Sequence, residues 1–178
     1  MKYVVDTSTI LAGSQYETYE KEFFPNHWGN FNKLIQEEII VSTPAVQKEI
    51  YARDDKFTTW AKENKNMFIP LSQEVIERGN ELSKRFPLWY KTGENKKHWA
   101  DPEIIAFAKI NNIILVTQEN WNSESTKEEK YKIPTICEKI GAKCHIKDNF
   151  HENVKVKGFQ CIDLLELIKR EELHNITF

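Results

Sequence analysis

The 178-residue sequence lacks the long apolar run that a membrane helix requires. Such a span needs about 20 predominantly apolar residues, and apolar runs here are short, as in Ile113-Ile114-Leu115-Val116. The opening MKYVVDTS meets an acid at Asp6 before a signal-peptide apolar region develops. Neither sign of charge dominates. The net charge of −2 excludes a global attraction to nucleic acid, so any anion-binding surface must be a local patch. Cysteine is scarce: Cys137, Cys144 and Cys161 are odd in number and lack a C-x-x-C spacing. A reducing, cytoplasmic setting is the simplest reading. Together with His145 they fit no usual zinc spacing, so buried thiols in a helix, a strand and a helix are expected. No G-x-x-x-x-G-K-[ST] phosphate loop, G-x-G-x-x-G fingerprint or G-x-S-x-G elbow occurs. The five histidines form no motif.

What is present is globular. Hydrophobic residues make up 40% and charged residues 29%, and the length suits one domain, 1–178, with a single sizeable core. Strands are predicted at Lys2–Asp6, Ile39–Ser42, Met67–Ile69, Ile113–Thr117 and Lys143–Ile146. Helices are predicted to start near His27, Thr43, Ser72, Asp101 and Pro134, with a last one near Gln160 running to Arg170. Alternation of this kind implies βαβ units. The expected fold class is α/β, a three-layer α/β/α arrangement with a central parallel sheet of about five strands. Thr43-Pro44 and Asp101-Pro102 read as N-caps followed by proline at the first helical position. Lys91–His98 and Asn122–Lys132 read as exposed loops.

In an open parallel sheet, ligands bind beyond the carboxyl ends of the strands. Asp6 closes the first strand, although Asp is depleted in strands. Glu119 lies just past the strand ending at Thr117. Asp101 opens the helix that feeds that strand, and the helix runs back against it, so its start returns to the same edge. Glu49 joins by periodicity. With Ala45 at 0°, a turn of 100° per residue puts Glu49 at roughly 40°, between Ala45 and Val46, inside the arc that faces the sheet. An inward acid is costly unless it is paired or binds a cation; pairing with Arg53 four residues on is the alternative.

Four acids converging on one edge repel one another, and no Arg or Lys cluster is interleaved with them. A hard divalent cation, Mg²⁺ or Mn²⁺, resolves such repulsion. It also prepares water for attack on a phosphodiester. Two alternatives carry different chemistry. In haloacid-dehalogenase-like phosphatases an aspartyl nucleophile is followed two residues later by a second Asp, where this chain has Ser8. A non-catalytic binding module would keep the fold without the chemistry.

The order of these residues resembles that of the PIN-domain nucleases: Val5-Asp6-Thr7-Ser8, Val46-Gln47-Lys48-Glu49-Ile50, Asp101-Pro102-Glu103-Ile104-Ile105-Ala106-Phe107-Ala108 and Val116-Thr117-Gln118-Glu119. More narrowly, Phe24-Pro25-Asn26-His27-Trp28 and Lys132-Ile133-Pro134-Thr135-Ile136-Cys137 are similar to segments of a PIN-like branch catalogued as a domain of unknown function. The resemblance implies Mg²⁺- or Mn²⁺-dependent RNA cleavage that leaves 5′-phosphate and 3′-hydroxyl ends. It also implies a frequent toxin role. Carried over residue by residue, Asp6, Glu49, Asp101 and Glu119 match the catalytic, metal-holding quartet. Ser8 and Thr117 match supporting hydroxyls. At the fourth position the family often has Asp or Asn, so Glu119 is a longer side chain.

RNA is the expected substrate, with a protein antitoxin and a homodimer as candidate partners and no membrane. The stretch Trp89–Trp99 joins basic and aromatic residues just before Asp101. Lys91, Lys96, Lys97 and His98 are the candidate RNA contacts, with aromatic rings available to stack on unpaired bases.

Overall fold

The computed structural model describes all residues except 15–16, 54, 95–98, 122–126, 148, 151–158 and 176–178. Its centre is a sheet in which Tyr3–Val5 (β1), Ile40–Val41 (β2), Ile114–Val116 (β3), Lys143–Ile146 (β4) and Gln160–Ile162 (β6) all run parallel. Asn149–Phe150 (β5) adds an antiparallel edge to β4. The order is β2-β1-β3-β6-β4-β5. Parallel strands require crossovers, and helices supply them on both faces. The three-layer α/β/α expectation therefore holds.

The strands are short, but those at the centre are apolar on both sides. Val4, Val5, Leu115, Val116, Cys161 and Ile162 are buried, which is why the alternation of a half-exposed strand is missing from the sequence. The helices are Thr7–Leu11 (α1), Pro25–Gln36 (α2), Pro44–Tyr51 (α3), Lys56–Glu63 (α4), Gln73–Arg85 (α5), Pro87–Glu94 (α6), Asp101–Asn111 (α7), Ile133–Lys139 (α8) and Leu164–Arg170 (α9). Helix α7 is the most deeply set, with Ile104, Ile105, Ala106, Phe107 and Ala108 all buried. It ends where Asn112 adopts a left-handed conformation (φ 53°), a residue type that tolerates it. Among the described residues no helix is long and apolar enough to cross a membrane.

Several expectations need correction. The last helix does not start near Gln160: Gln160–Ile162 is a central strand, and α9 begins only after Asp163, whose carboxylate accepts from the Glu166 N–H at 2.8 Å. Met67–Ile69 is not a full strand. Met67 closes a 3-10 turn, and only Phe68 bridges to Ser42, beside β2. Lys91 is not in a loop, because α6 extends to Glu94. Residues 95–98 and 122–126 of the two expected loops lie outside the described residues. Helices α1, α4 and α6 and strand β5 have no counterpart among the expected elements.

The three thiols are free and buried, on α8, β4 and β6 rather than in two helices and a strand. Burial raises Cys137 and Cys161, while hydrogen bonding to Cys161, and then burial, raises Cys144. Thiols held protonated and out of solvent are poor nucleophiles. A colorimetric disulfide reagent at pH 8 is expected to leave all three untouched for minutes in the native chain and to titrate three in guanidinium. Rapid native labelling of any of them would contradict this packing.

Candidate acid-lined active site

Asp6 leaves the end of β1 and immediately caps α1. Its Oδ1 accepts from the Thr9 N–H and the Thr9 hydroxyl, each at 2.8 Å. The Ser8 hydroxyl lies 2.9 Å from Oδ1 and 2.7 Å from Oδ2, and the Thr117 hydroxyl donates to Oδ2 at 2.7 Å. Thr9 Oγ1 also lies 2.9 Å from the Val116 carbonyl, so its one proton is shared between the cap and the end of β3. Asp6 as a whole residue is 5% exposed. Burial raises its carboxyl to about 6; the Thr117 hydroxyl opposes the rise, and the Glu119 charge adds to it.

Asp101 reaches the same place from α7, but not as a cap. The helix begins at Asp101 itself, Ala100 occupies the cap position, and no side chain caps the turn. This corrects the N-cap reading; Asp101 lines the cavity instead. Burial raises Asp101 well above the usual carboxylate range, followed by the charge of Glu119 and then those of Asp6 and Glu49. The acids therefore feel one another through a poorly solvated space.

Glu49 projects from α3, half-buried as its periodicity predicts. Its Oε1 accepts from the Ala100 N–H at 2.9 Å, and its Oε2 accepts from the Thr7 hydroxyl. Arg53 turns instead to Asp55 at 2.9 Å. Glu119 lies beyond β3. Its Oε2 accepts from the Ile133 N–H at 2.8 Å, at the start of α8, and Lys132 Nζ stands 3.6 Å from Oε1.

One cavity of about 230 Å³ collects all four acids, with Ser8, Thr7, Leu11, Ile104 and Trp99 completing its walls. Thr117 does not line it but holds Asp6 from beneath and is fully buried. The structure thus brings together the quartet and both supporting hydroxyls. Lys91 is exposed on α6, while Lys96, Lys97 and His98 lie outside the described residues. Trp89 is 1% exposed and packs edge-on to Trp99 at 4.8 Å between centroids. It belongs to the core and cannot stack on a base. Sequence reasoning missed Thr7, Thr9 and Lys132. Thr7 and Thr9 flank Ser8 in Asp6-Thr7-Ser8-Thr9, a run of hydroxyls after a strand-ending acid that marks a carboxylate-capped turn.

Among the described residues, no group of three or more His, Cys, Asp or Glu side chains is arranged to hold a metal ion. Glu49 and Glu119 are each engaged by a backbone N–H. The donor set still suits a hard cation in chemistry, because four carboxylates face one space and Lys132 touches only Glu119.

Fold and site together define an α/β/α protein with an acid-lined cavity at the carboxyl edge of its parallel sheet. Residues 3–157 match the family described as a domain of unknown function, DUF4411, and the chain belongs to that family. No curated protein and no solved structure matches the chain.

Proposed function

We propose that the chain is a divalent-metal-dependent endoribonuclease. The observation that carries this reading is the confluence of Asp6, Glu49, Asp101 and Glu119 in one cavity where their charges oppose one another. Supporting it is their order along the chain, which resembles that of PIN-domain nucleases. Asp6 and Asp101 would hold Mg²⁺ or Mn²⁺, joined by Glu49 and Glu119 on release from their backbone partners. A bound ion supplies water of lowered pKa and neutralises charge on a phosphate. The chain's own residues do the rest. Ser8 and Thr117 hold the Asp6 carboxylate in one orientation. The Ala100 and Ile133 N–H groups hold the two glutamates in reserve. Trp99 and Ile104 limit bulk water on one side of the cavity. The products would carry 5′-phosphate and 3′-hydroxyl ends.

Purified chain is expected to cut RNA in Mg²⁺ or Mn²⁺ and to stop when the cation is chelated. RNA left intact in both cations, by folded protein, would defeat the reading. The aspartyl-phosphatase alternative fares less well, since Ser8 stands where that chemistry places a second Asp two residues after the nucleophile. It predicts a beryllofluoride adduct on Asp6 and no RNA cleavage; a binding module predicts neither. The same resemblance extends the proposal to a cytoplasmic toxin blocked by a protein antitoxin, to be checked by whether a small protein from the adjoining reading frame inhibits cleavage.

A further inference from the structure

A second cavity lies beside the acids on the same edge of the sheet. The order β1-β3-β6-β4 sets Asp6 and Thr117, which follow β1 and β3, next to Asp163 and Lys147, which follow β6 and β4. The cavity, about 280 Å³, is lined by Thr18, Tyr19, Gln118, Lys147, Asp163 and Leu165. Gln118 joins the two spaces. Its backbone N–H donates to Ser8 Oγ at 2.9 Å, at the acid site, while its side chain lines the second cavity. The next residue, Glu119, lines the first.

The hydrogen-bonding character of this cavity is well defined. The Leu164 N–H donates to Gln118 Oε1 at 3.2 Å, so the oxygen is fixed and the amide nitrogen presents its hydrogens as donors. Lys147 donates to the Asn120 side chain and, as an ammonium, carries donors only. Asp163 is anchored by the Glu166 N–H at 2.8 Å and the Lys147 N–H at 2.6 Å, and each of its oxygens can accept again. Tyr19 and Leu165 supply an aromatic and an aliphatic wall. The backbone of Tyr19 is held by the Trp28 indole N–H at 2.6 Å. One ammonium and one carboxylate cancel, so the space has no net pull on a phosphate.

Donors and an acceptor that line one cavity with an aromatic and an aliphatic side chain complement a flat ring that carries a carbonyl next to a ring N–H. Guanine and uracil present that edge. Adenine and cytosine present the reverse, an amino group next to a bare ring nitrogen. We propose that this cavity is a base-reading subsite that holds a guanine or uracil of the strand whose phosphate lies at the acids. The proposal rests on the nuclease reading for its substrate, and Gln118 and Asp163 are its specificity-determining residues.

The test uses the full chain and the four nucleoside monophosphates, titrated without divalent cation and followed by backbone and side-chain amide shifts in NMR. Guanosine and uridine monophosphates are expected to bind about tenfold tighter than the adenosine and cytidine forms, with the Gln118 amide among the largest shifts. Gln118→Leu is expected to erase the preference. Gln118→Glu keeps an acceptor for Leu164 but replaces the donor, and should shift the preference towards adenosine and cytidine. Equal binding of all four, no binding, or a preference that survives both variants overturns the subsite. A parallel digestion of single-stranded RNA of random sequence in Mn²⁺ separates the two claims. Cuts without base bias overturn the subsite and leave the nuclease. Base-selective binding without any cut overturns the nuclease and leaves the subsite.

Discussion

Asp101→Asn is expected to lower Mg²⁺- or Mn²⁺-dependent RNA cleavage by about a thousandfold, the scale on which removing one transition-state-stabilising group acts. The amide keeps the shape of the carboxylate but cannot carry its charge. In the absence of cation the same change should stabilise the fold, because Asp101 is buried against three other carboxylates that raise its pKa. Single-turnover cleavage measures the first effect. Thermal unfolding in chelator and in Mn²⁺ measures the second: the wild-type chain should gain stability on adding the ion, and Asp101→Asn should start higher and gain little. These opposite signs separate a metal-holding carboxylate from a structural one, whose loss would lower stability in both conditions. Cleavage at the wild-type rate by a folded Asp101→Asn chain would remove Asp101 from the site.

The acids were legible because each follows from a local rule. Asp6 interrupts an apolar strand, Glu49 falls inside an apolar arc, and Asp101 and Glu119 bracket a helix and a strand that must run in opposite senses. What was not legible is where competing patterns coincide. Cys161 and Ile162 are buried in mid-sheet beside a half-buried Gln160, and a three-residue strand is too short to show a period that separates it from the helix that follows. Asp163 was the available signal, since an acid followed by Leu-Leu-Glu caps a helix rather than riding inside one. Reading that cap would have released β6 as a strand and placed Asp163 at the carboxyl edge beside Gln118. The error in α6 has a different source. Trp89 and Tyr90 stand in sequence with the charged residues after them, although Trp89 packs into the core while Leu88 and Tyr90 beside it are exposed. Cys161 shows the same limit, because a buried thiol on a strand and one on a helix read alike.

Stability without cation should fall as the pH rises through Asp6. Its folded-state carboxyl lies at about 6 against an ordinary 3.8, because burial outweighs the hydroxyl donors around it. The folded chain therefore binds this proton more tightly than the unfolded chain does. The contribution of Asp6 is fully present below about pH 4 and is lost between about 4 and 6, a change of about 3 kcal/mol at 1.36 kcal/mol per tenfold shift in proton affinity. Other groups titrate in the same range, so the readout is a difference. Urea unfolding of wild type and Asp6→Asn in chelator at pH 4.5 and 7.5 should show the wild type losing about 2 kcal/mol more than the variant, because about a third of the change precedes pH 4.5. The amide can still accept from Thr9, and the Ser8 and Thr117 hydroxyls can reverse to accept from it, so the variant is expected to fold. Saturating Mn²⁺ at pH 7.5 should restore the wild-type loss, because an ion that binds only the folded, ionised cavity stabilises it by mass action. Parallel pH profiles for the two chains would mean that Asp6 is ionised and satisfied by its hydroxyl donors alone. The cavity would then be a capped helix start with no call for a cation.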